Sequence, residues 1–193
     1  GKAEAYLSQN ICKGFSLVGT VPEIESGRTV SHACCIRLKT GRILAVICSA
    51  GEFFSSFSDD TGARWSVPKA LDIKGTASNL AISKDGVAVL SFVDPTKDQS
   101  IRCCINKDGE SDWCKVRLLV SSTAKNMRRP CTVATEKEFF TVSRQRFCGE
   151  KESSIVFTQW KPLKEDYDPV AEAKHKKQEK KKIRKKKAEN AAK

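Results

Sequence analysis

Short apolar runs separated by polar turns fill the first 160 residues, and none of them shows the three-to-four-residue period of an amphipathic helix. One order of events occurs three times. Polar turns at Lys39-Thr40-Gly41-Arg42, Lys84-Asp85-Gly86 and Glu136-Lys137-Glu138 lead directly into the apolar runs Ile43 to Ile47, Val87 to Leu90 and Phe139 to Val142. A loop and a second strand-like run follow each: Phe53 to Ser58, Ile101 to Asn106 and Ser154 to Thr158. A tryptophan closes each unit, and Trp65, Trp113 and Trp160 lie 48 and 47 residues apart.

The middle runs are apolar at consecutive positions, as strands buried on both faces are, and among antiparallel strands this requires sheets stacked face to face. Radially stacked sheets of about 40–50 residues are the blades of a β-propeller. The expected fold is all-β, a partial propeller of about three blades of antiparallel meander sheets over residues 28–163. Residues 1–27 precede it, with Tyr6-Leu7 and Phe15 to Val18 supplying part of a further blade. Residues 164–193 form a basic helical tail: Asp168-Pro169 is a helix opening, and Ala, Lys, Glu, Gln and Arg dominate after it.

The sharpest motif runs from Ser58 to Trp65, where Ser58, Asp60, Gly62 and Trp65 fit Ser-x-Asp-x-Gly-x-x-Trp. It resembles the Asp-box hairpin of sialidase-type propellers. Asp60 can accept amides of its own turn, Gly62 can take positive φ, and Trp65 can fold back over the hairpin. Asn106-Lys107-Asp108-Gly109 followed by Trp113 is a degenerate copy, and the third unit keeps little beyond Trp160. The resemblance implies a structural role for the motif rather than an activity, because fold does not imply function.

Sialidases bind a carboxylate with three arginines and use a Tyr–Glu nucleophile and an Asp acid. Arg128-Arg129-Pro130 resembles the element that supplies the first arginine, with Arg128 as the match, but it stands in the third unit rather than the first. The two tyrosines, Tyr6 and Tyr167, lie at the extremes of the chain. Nucleotide-binding glycine loops and nucleophile elbows are absent. The expectation is a protein without catalytic residues.

Nine cysteines include the vicinal pairs Cys34/Cys35 and Cys103/Cys104, whose side chains point to opposite faces of a strand. Several stand inside apolar runs, which suggests buried thiols in a reducing, cytoplasmic compartment rather than a disulfide framework. No Cys-x-x-Cys spacing occurs, so no metal or other cofactor is expected. A thiol–imidazole couple of His32 with Cys34 or Cys35 is weighed against simple packing, and packing is preferred. The longest apolar run, Ile43 to Cys48, is far short of the roughly 20 residues that span a bilayer, so membrane insertion is not expected.

Charge divides the chain. Residues 171–193 hold eleven Lys or Arg against three Glu, and so carry +8 of the total +12. With Ile183 as its one large hydrophobe, the tail lacks the apolar stripe that a groove or a membrane surface needs. Lys174, Lys176, Lys177, Lys180, Lys181, Lys182, Arg184, Lys185, Lys186 and Lys187 are candidates for phosphate contacts on structured RNA. Three blades do not close a ring, and an uncovered end blade exposes an apolar face that monomers rarely tolerate. The expected function is therefore a non-enzymatic subunit of a large ribonucleoprotein such as a ribosome. Its blades would dock on a protein partner and its tail on RNA. Two alternatives are a module on an acidic cytoskeletal or other protein assembly, and a fragment of a longer sialidase-fold enzyme.

Overall fold

The computed structural model describes residues 2–8, 14–24, 28–95, 100–110, 112–114, 116–120, 128–136, 138–145, 151 and 153–162. Thirteen strands make four antiparallel sheets, with no helix among the described residues. The expected tail helix lies outside them.

A two-stranded hairpin, β1 (Glu4–Leu7) and β2 (Ser16–Thr20), comes first. Next is a four-stranded meander of β3 (Val30–Arg37), β4 (Ile43–Ser49), β5 (Glu52–Ser58) and β6 (Lys69–Lys74). A second four-stranded meander holds β7 (Thr76–Ile82), β8 (Ala88–Val93), β9 (Ile101–Asn106) and β10 (Arg117–Val120). The last sheet has β11 (Arg128–Ala134), β12 (Phe139–Gln145) and β13 (Ser154–Trp160). The expected strand pieces fall on these elements, with Phe15 and Val87 each standing one residue ahead of the strand it was grouped with. The first strands of neighbouring sheets run beside each other, β3 with β7 and β7 with β11.

Alternation along each strand explains the stacking. In the first meander Leu44, Val46, Cys48 and Phe53 turn toward the second, where Leu80, Leu90, Phe92 and Cys104 complete one core. Val89, Cys103 and Ile105 point the other way, onto Phe139 of the last sheet. Both faces of β8 are thus covered, and all six of its residues are buried, which is why its sequence is apolar without alternation. The vicinal cysteines divide as expected, with Cys104 in one core and Cys103 in the other. Close approach is obligatory at Gly75, between β6 and β7, where a Cβ would come within 2.3 Å of the Phe92 ring.

A chain of hydroxyls replaces apolar contact in part of the second interface. Ser91 Oγ meets Thr132 Oγ1 at 2.7 Å, Thr132 Oγ1 meets Thr141 Oγ1 at 2.9 Å, and Trp160 Nε1 donates to Thr141 Oγ1 at 2.9 Å. The Thr132 amide donates to Asn79 Oδ1 at 2.8 Å. The hairpin β1–β2 leans on the first meander from its free side. There a Cβ on Gly19 would lie 2.2 Å from the Gly62 carbonyl oxygen. A cavity of about 500 Å³ with a largely apolar wall, including Phe15, Val18, Cys35, Ile43 and Trp65, remains between them.

Candidate functional site

The Ser58 to Trp65 turn closes on itself. The Ser58 hydroxyl donates to Asp60 Oδ1 at 3.0 Å and accepts the Gly62 amide at 2.9 Å. Asp60 Oδ1 also accepts the Arg64 amide at 2.8 Å, and Oδ2 accepts Arg64 Nε at 2.9 Å. Thr61 and Gly62 take φ of 59° and 97° in succession, which Gly62 does without strain. Trp65 Nε1 donates to the Gly62 carbonyl at 2.8 Å, folding the indole over the turn. The Arg64 amide, then the Arg64 guanidinium and the Ser58 hydroxyl, hold the Asp60 carboxyl at about 2, below its ordinary 3.8.

Removing that carboxylate should destabilise the hairpin in a pH-dependent way. A depressed pKa contributes stability that is fully present above the unfolded value and is lost as pH falls through the folded one. Asp60→Ala should therefore melt below the wild type at neutral pH. The gap should close between about pH 4 and pH 2, as protonation removes the same acceptor from the wild type. Melting curves of both proteins across that range check this, and a gap independent of pH would remove the assigned role.

The second copy keeps the device with different atoms. Asn106 Oδ1 accepts the Gly109 amide at 2.8 Å and the Asp108 amide at 3.2 Å, and Asp108 Oδ1 accepts the Glu110 amide at 2.8 Å. Beyond each tryptophan the closure is the same. The Ser66 amide donates to the Phe57 carbonyl and the Cys114 amide to the Ile105 carbonyl, both at 2.8 Å. In return Ser66 Oγ accepts the Phe57 amide at 3.0 Å, and Cys114 Sγ accepts the Ile105 amide at 3.1 Å. Trp113 borders a cleft between β6 and the β9–β10 hairpin and packs on the first core.

Trp160 is not the third member of this series. It ends β13 in register with Phe139, the place that Ser58 holds opposite Ile43 and Asn106 opposite Ala88. Its ring stacks on Phe139 at 5.1 Å. The even spacing of the tryptophans is a coincidence of loop lengths: Trp65 and Trp113 each lie seven residues after the strand ends Ser58 and Asn106, whereas Trp160 is itself a strand end.

Bulges interrupt the first strand of each four- or three-stranded sheet near its start, at Val30/His32, Thr76/Asn79 and Arg128/Cys131. Ala77 and Arg129, one residue into β7 and β11, both take positive φ. Such bulges re-aim side chains at a rim. Near it, Arg28 Nη1 lies 2.9 Å and Lys74 Nζ 3.7 Å from the Glu52 carboxylate. The Arg28 guanidinium also sits 5.6 Å from the Phe54 ring centroid. The hydrogen bond from Arg28, with Lys74, holds Glu52 below the usual carboxylate range, so it stays ionised at neutral pH. Arg128 opens β11 beside this rim, and Arg129 is exposed.

Tyr6 OH donates to Glu4 Oε2 at 2.9 Å on the exposed hairpin. That bond raises the phenol pKa, which makes it a poorer nucleophile at neutral pH. Burial pushes the Cys34 thiol up to about 11, so it is no thiolate partner for His32. Among the described residues no group of three His, Cys, Asp or Glu is placed to hold a metal ion, and no helix is long and apolar enough to cross a membrane.

The one large feature the motifs did not reveal is the outer face of β11–β13. Val133, Phe140, Val142, Phe157 and Ile155 alternate outward while Thr132, Thr141 and Ser143 turn inward. Phe140 and Phe157 stack at 5.2 Å, and Phe157 remains 60% and Ile155 79% exposed. The signal lay in the alternation of Phe139 to Gln145, where every second residue is buried. Lys174 to Lys187 lie outside the described residues.

No protein-family model and no curated protein matches this chain. Solved structures do. A protein of unknown function from Dyadobacter fermentans superposes with a TM-score of 0.71 at 14% identity, over 82% of this chain and 45% of its own. A GH43B protein of the Bacteroides ovatus xyloglucan PUL gives 0.62 at 12% identity, over 82% and 34%. A mutant of the NanB sialidase from Streptococcus pneumoniae gives 0.58 at 18%, over 80% and 25%. The fold is propeller-like and sialidase-related, and the chain spans less than half the length of the structures it matches.

Proposed function

We propose that this chain is a non-catalytic interaction module, an arc of sialidase-like propeller that docks on protein through the outer face of β11–β13 and anchors on RNA phosphates through residues 164–193. The observation that carries the reading is that face, where Val133, Val142, Ile155 and Phe157 are each 37% exposed or more on one contiguous sheet. Monomers rarely keep such a surface open. The Ser58 to Trp65 turn is an Asp-box acting as a folding device, since Ser58, Asp60, Gly62 and the Trp65 indole direct their hydrogen bonds into the turn itself. The ionised Glu52 and the raised Tyr6 phenol suit a surface role better than proton transfer. A structural subunit of a ribonucleoprotein assembly combines both halves.

The experiment is an RNA-binding titration of the full chain and of a chain lacking residues 171–193, over a salt series. If lysines meet phosphates, affinity should fall linearly in log–log form with a slope of about −3 to −5, because each neutralised phosphate releases condensed counterions. Sequence preference should be slight. The truncated chain should lose RNA affinity and keep its fold. Equal binding by the truncated chain would assign RNA to the sheets, and binding only to an acidic protein surface would favour a cytoskeletal or similar assembly.

A second reading draws on the solved neighbours, which include a sialidase and a GH43B protein. Here the chain would be a stretch of a longer glycosidase with its remaining catalytic groups on other blades. Hydrolysis of an aryl glycoside by the full-length gene product, lost on Arg128→Ala, would support it over the first.

A further inference from the structure

We infer that β13 pairs through its outer edge with an extended strand of a partner protein, which completes the last sheet as its fourth strand. The inference rests on the reading that the last sheet docks a protein, and adds the mode of docking and the kind of partner. Natural sheets guard their outermost strands with charge, proline, bulges or short length, because unpaired amides and carbonyls recruit other strands. The other outermost strands described here are guarded. β6 carries Lys69, Asp72 and Lys74 and a register break against β5. β10 has four residues, Arg117 among them, and a break against β9. Breaks also interrupt the pairing of β1 with β2 and of β3, β7 and β11 with their neighbours. β13 has none of these devices. Ser154–Trp160 is seven residues long, uncharged and free of proline and glycine, and it pairs with β12 in unbroken register.

The edge is also set to pair. Phe57 and Ile105, one residue before the ends of β5 and β9, turn amide and carbonyl outward to Ser66 and Cys114. Gln159 holds the same register place, opposite Phe140. Alternation then turns the amides and carbonyls of Gln159, Phe157 and Ile155 to the outer edge, where no described strand meets them. In the first interface β6 closes the core with Leu71 and Ile73. At the second, Leu119 and Trp160 are half-buried at the matching border. The chain's own sequence does not suit the place. In both meanders the fourth strand opens eleven residues after the third ends. At that offset here, Ala171 to Lys176 read Ala-Glu-Ala-Lys-His-Lys, without a β-branched or large apolar residue. On the outer face Glu138, bonded to Gln159, and Arg144, in register with Ile155, stand toward opposite ends with Phe140 and Val142 between them. The partner segment is therefore an uncharged strand, antiparallel to β13, with β-branched or aromatic residues at alternate positions. One set extends the row of Ile155 and Phe157, and the other covers Leu119.

Amide hydrogen exchange resolved to single residues tests this, on the tagged full chain purified alone and in the complex isolated from its own cells. In the chain alone Ile155, Phe157 and Gln159 should exchange as freely as loop amides, while Val156 and Thr158, which turn to β12, are slow. In the complex the three edge amides should slow by about a hundredfold or more. Gln159→Pro should keep its fold, verified by circular dichroism, because that amide serves no β12 partner, and it should lose the complex. Maleimide labelling of Cys131, exposed and in register with Val142, reports the outer face apart from the edge. Edge amides already slow in the purified chain would assign the fourth strand to this chain itself and overturn the inference, as would a folded Gln159→Pro chain that keeps the complex. Edge amides open in a complex that protects Cys131 would overturn strand addition and leave the docking face standing. Slow edge amides with Cys131 open would uphold strand addition and overturn docking through the face, and both open would overturn both.

Discussion

Phe92→Ala should lower stability by about 3–5 kcal/mol, the cost of truncating a large aromatic in a core that does not collapse around the gap. Phe92 is 1% exposed and meets Phe53 edge-on at 5.3 Å. It lies against the bare backbone of Gly75, so glycine has already brought the chain as near as it can come. Leu44, Val46 and Cys48 on the first meander and Leu90 and Cys104 on the second surround it as strand residues held in hydrogen-bonded ladders. Urea unfolding of wild type and variant measures the loss. A change below about 1 kcal/mol, the range of surface substitutions, would mean that the first two meanders do not share a core.

Asn106→Leu should cost about 2–4 kcal/mol, because its carboxamide oxygen serves two amides and leucine serves neither. Asn106 is fully buried, and the Gly109 amide it accepts is buried as well, so water does not replace the lost acceptor. Leucine keeps the branching of asparagine but is bulkier, so a second substitution of matching size is needed to separate the lost hydrogen bonds from a packing defect. Asn106→Asp, which keeps the acceptor, should restore most of the stability above the carboxylate pKa. Equal losses for both substitutions in denaturant unfolding would show that the site responds to packing rather than to its amides.

The strands with apolar runs were legible because burial on one or two faces writes itself into the sequence. Ile43 to Ile47 and Val87 to Leu90 mark strands flanked by sheets, and both were found. Edge strands such as Lys69–Lys74 and Arg117–Val120 are half polar and carry no such signal. The Ser58 to Trp65 turn was readable because a tight hydrogen-bonded turn demands particular residues at fixed offsets. The third tryptophan misled, since spacing along the chain counts loop residues that the sheets do not. Equivalence of Ser66 with Cys114 was invisible until both closed the same hairpin bond, as hydroxyl and thiol accept the same amide. The outer face of β11–β13 was half legible, because the alternation of Phe139 to Gln145 marks a strand buried on one face, while both Phe139 and Phe140 are apolar and only the stacking shows which of them turns outward.

The row of hydroxyls between the second meander and the last sheet gives the molecule a graded resistance to unravelling. Where the first interface is sealed by Phe53, Phe92, Leu44 and Leu90, the second depends in part on Ser91, Thr132 and Thr141, groups that water satisfies as readily as they satisfy one another. Sub-global opening proceeds along such seams. Of the two joints between the larger sheets, the second is therefore the one that opens first, and a partner gripping the outer face of β11–β13 would act as a splint on it.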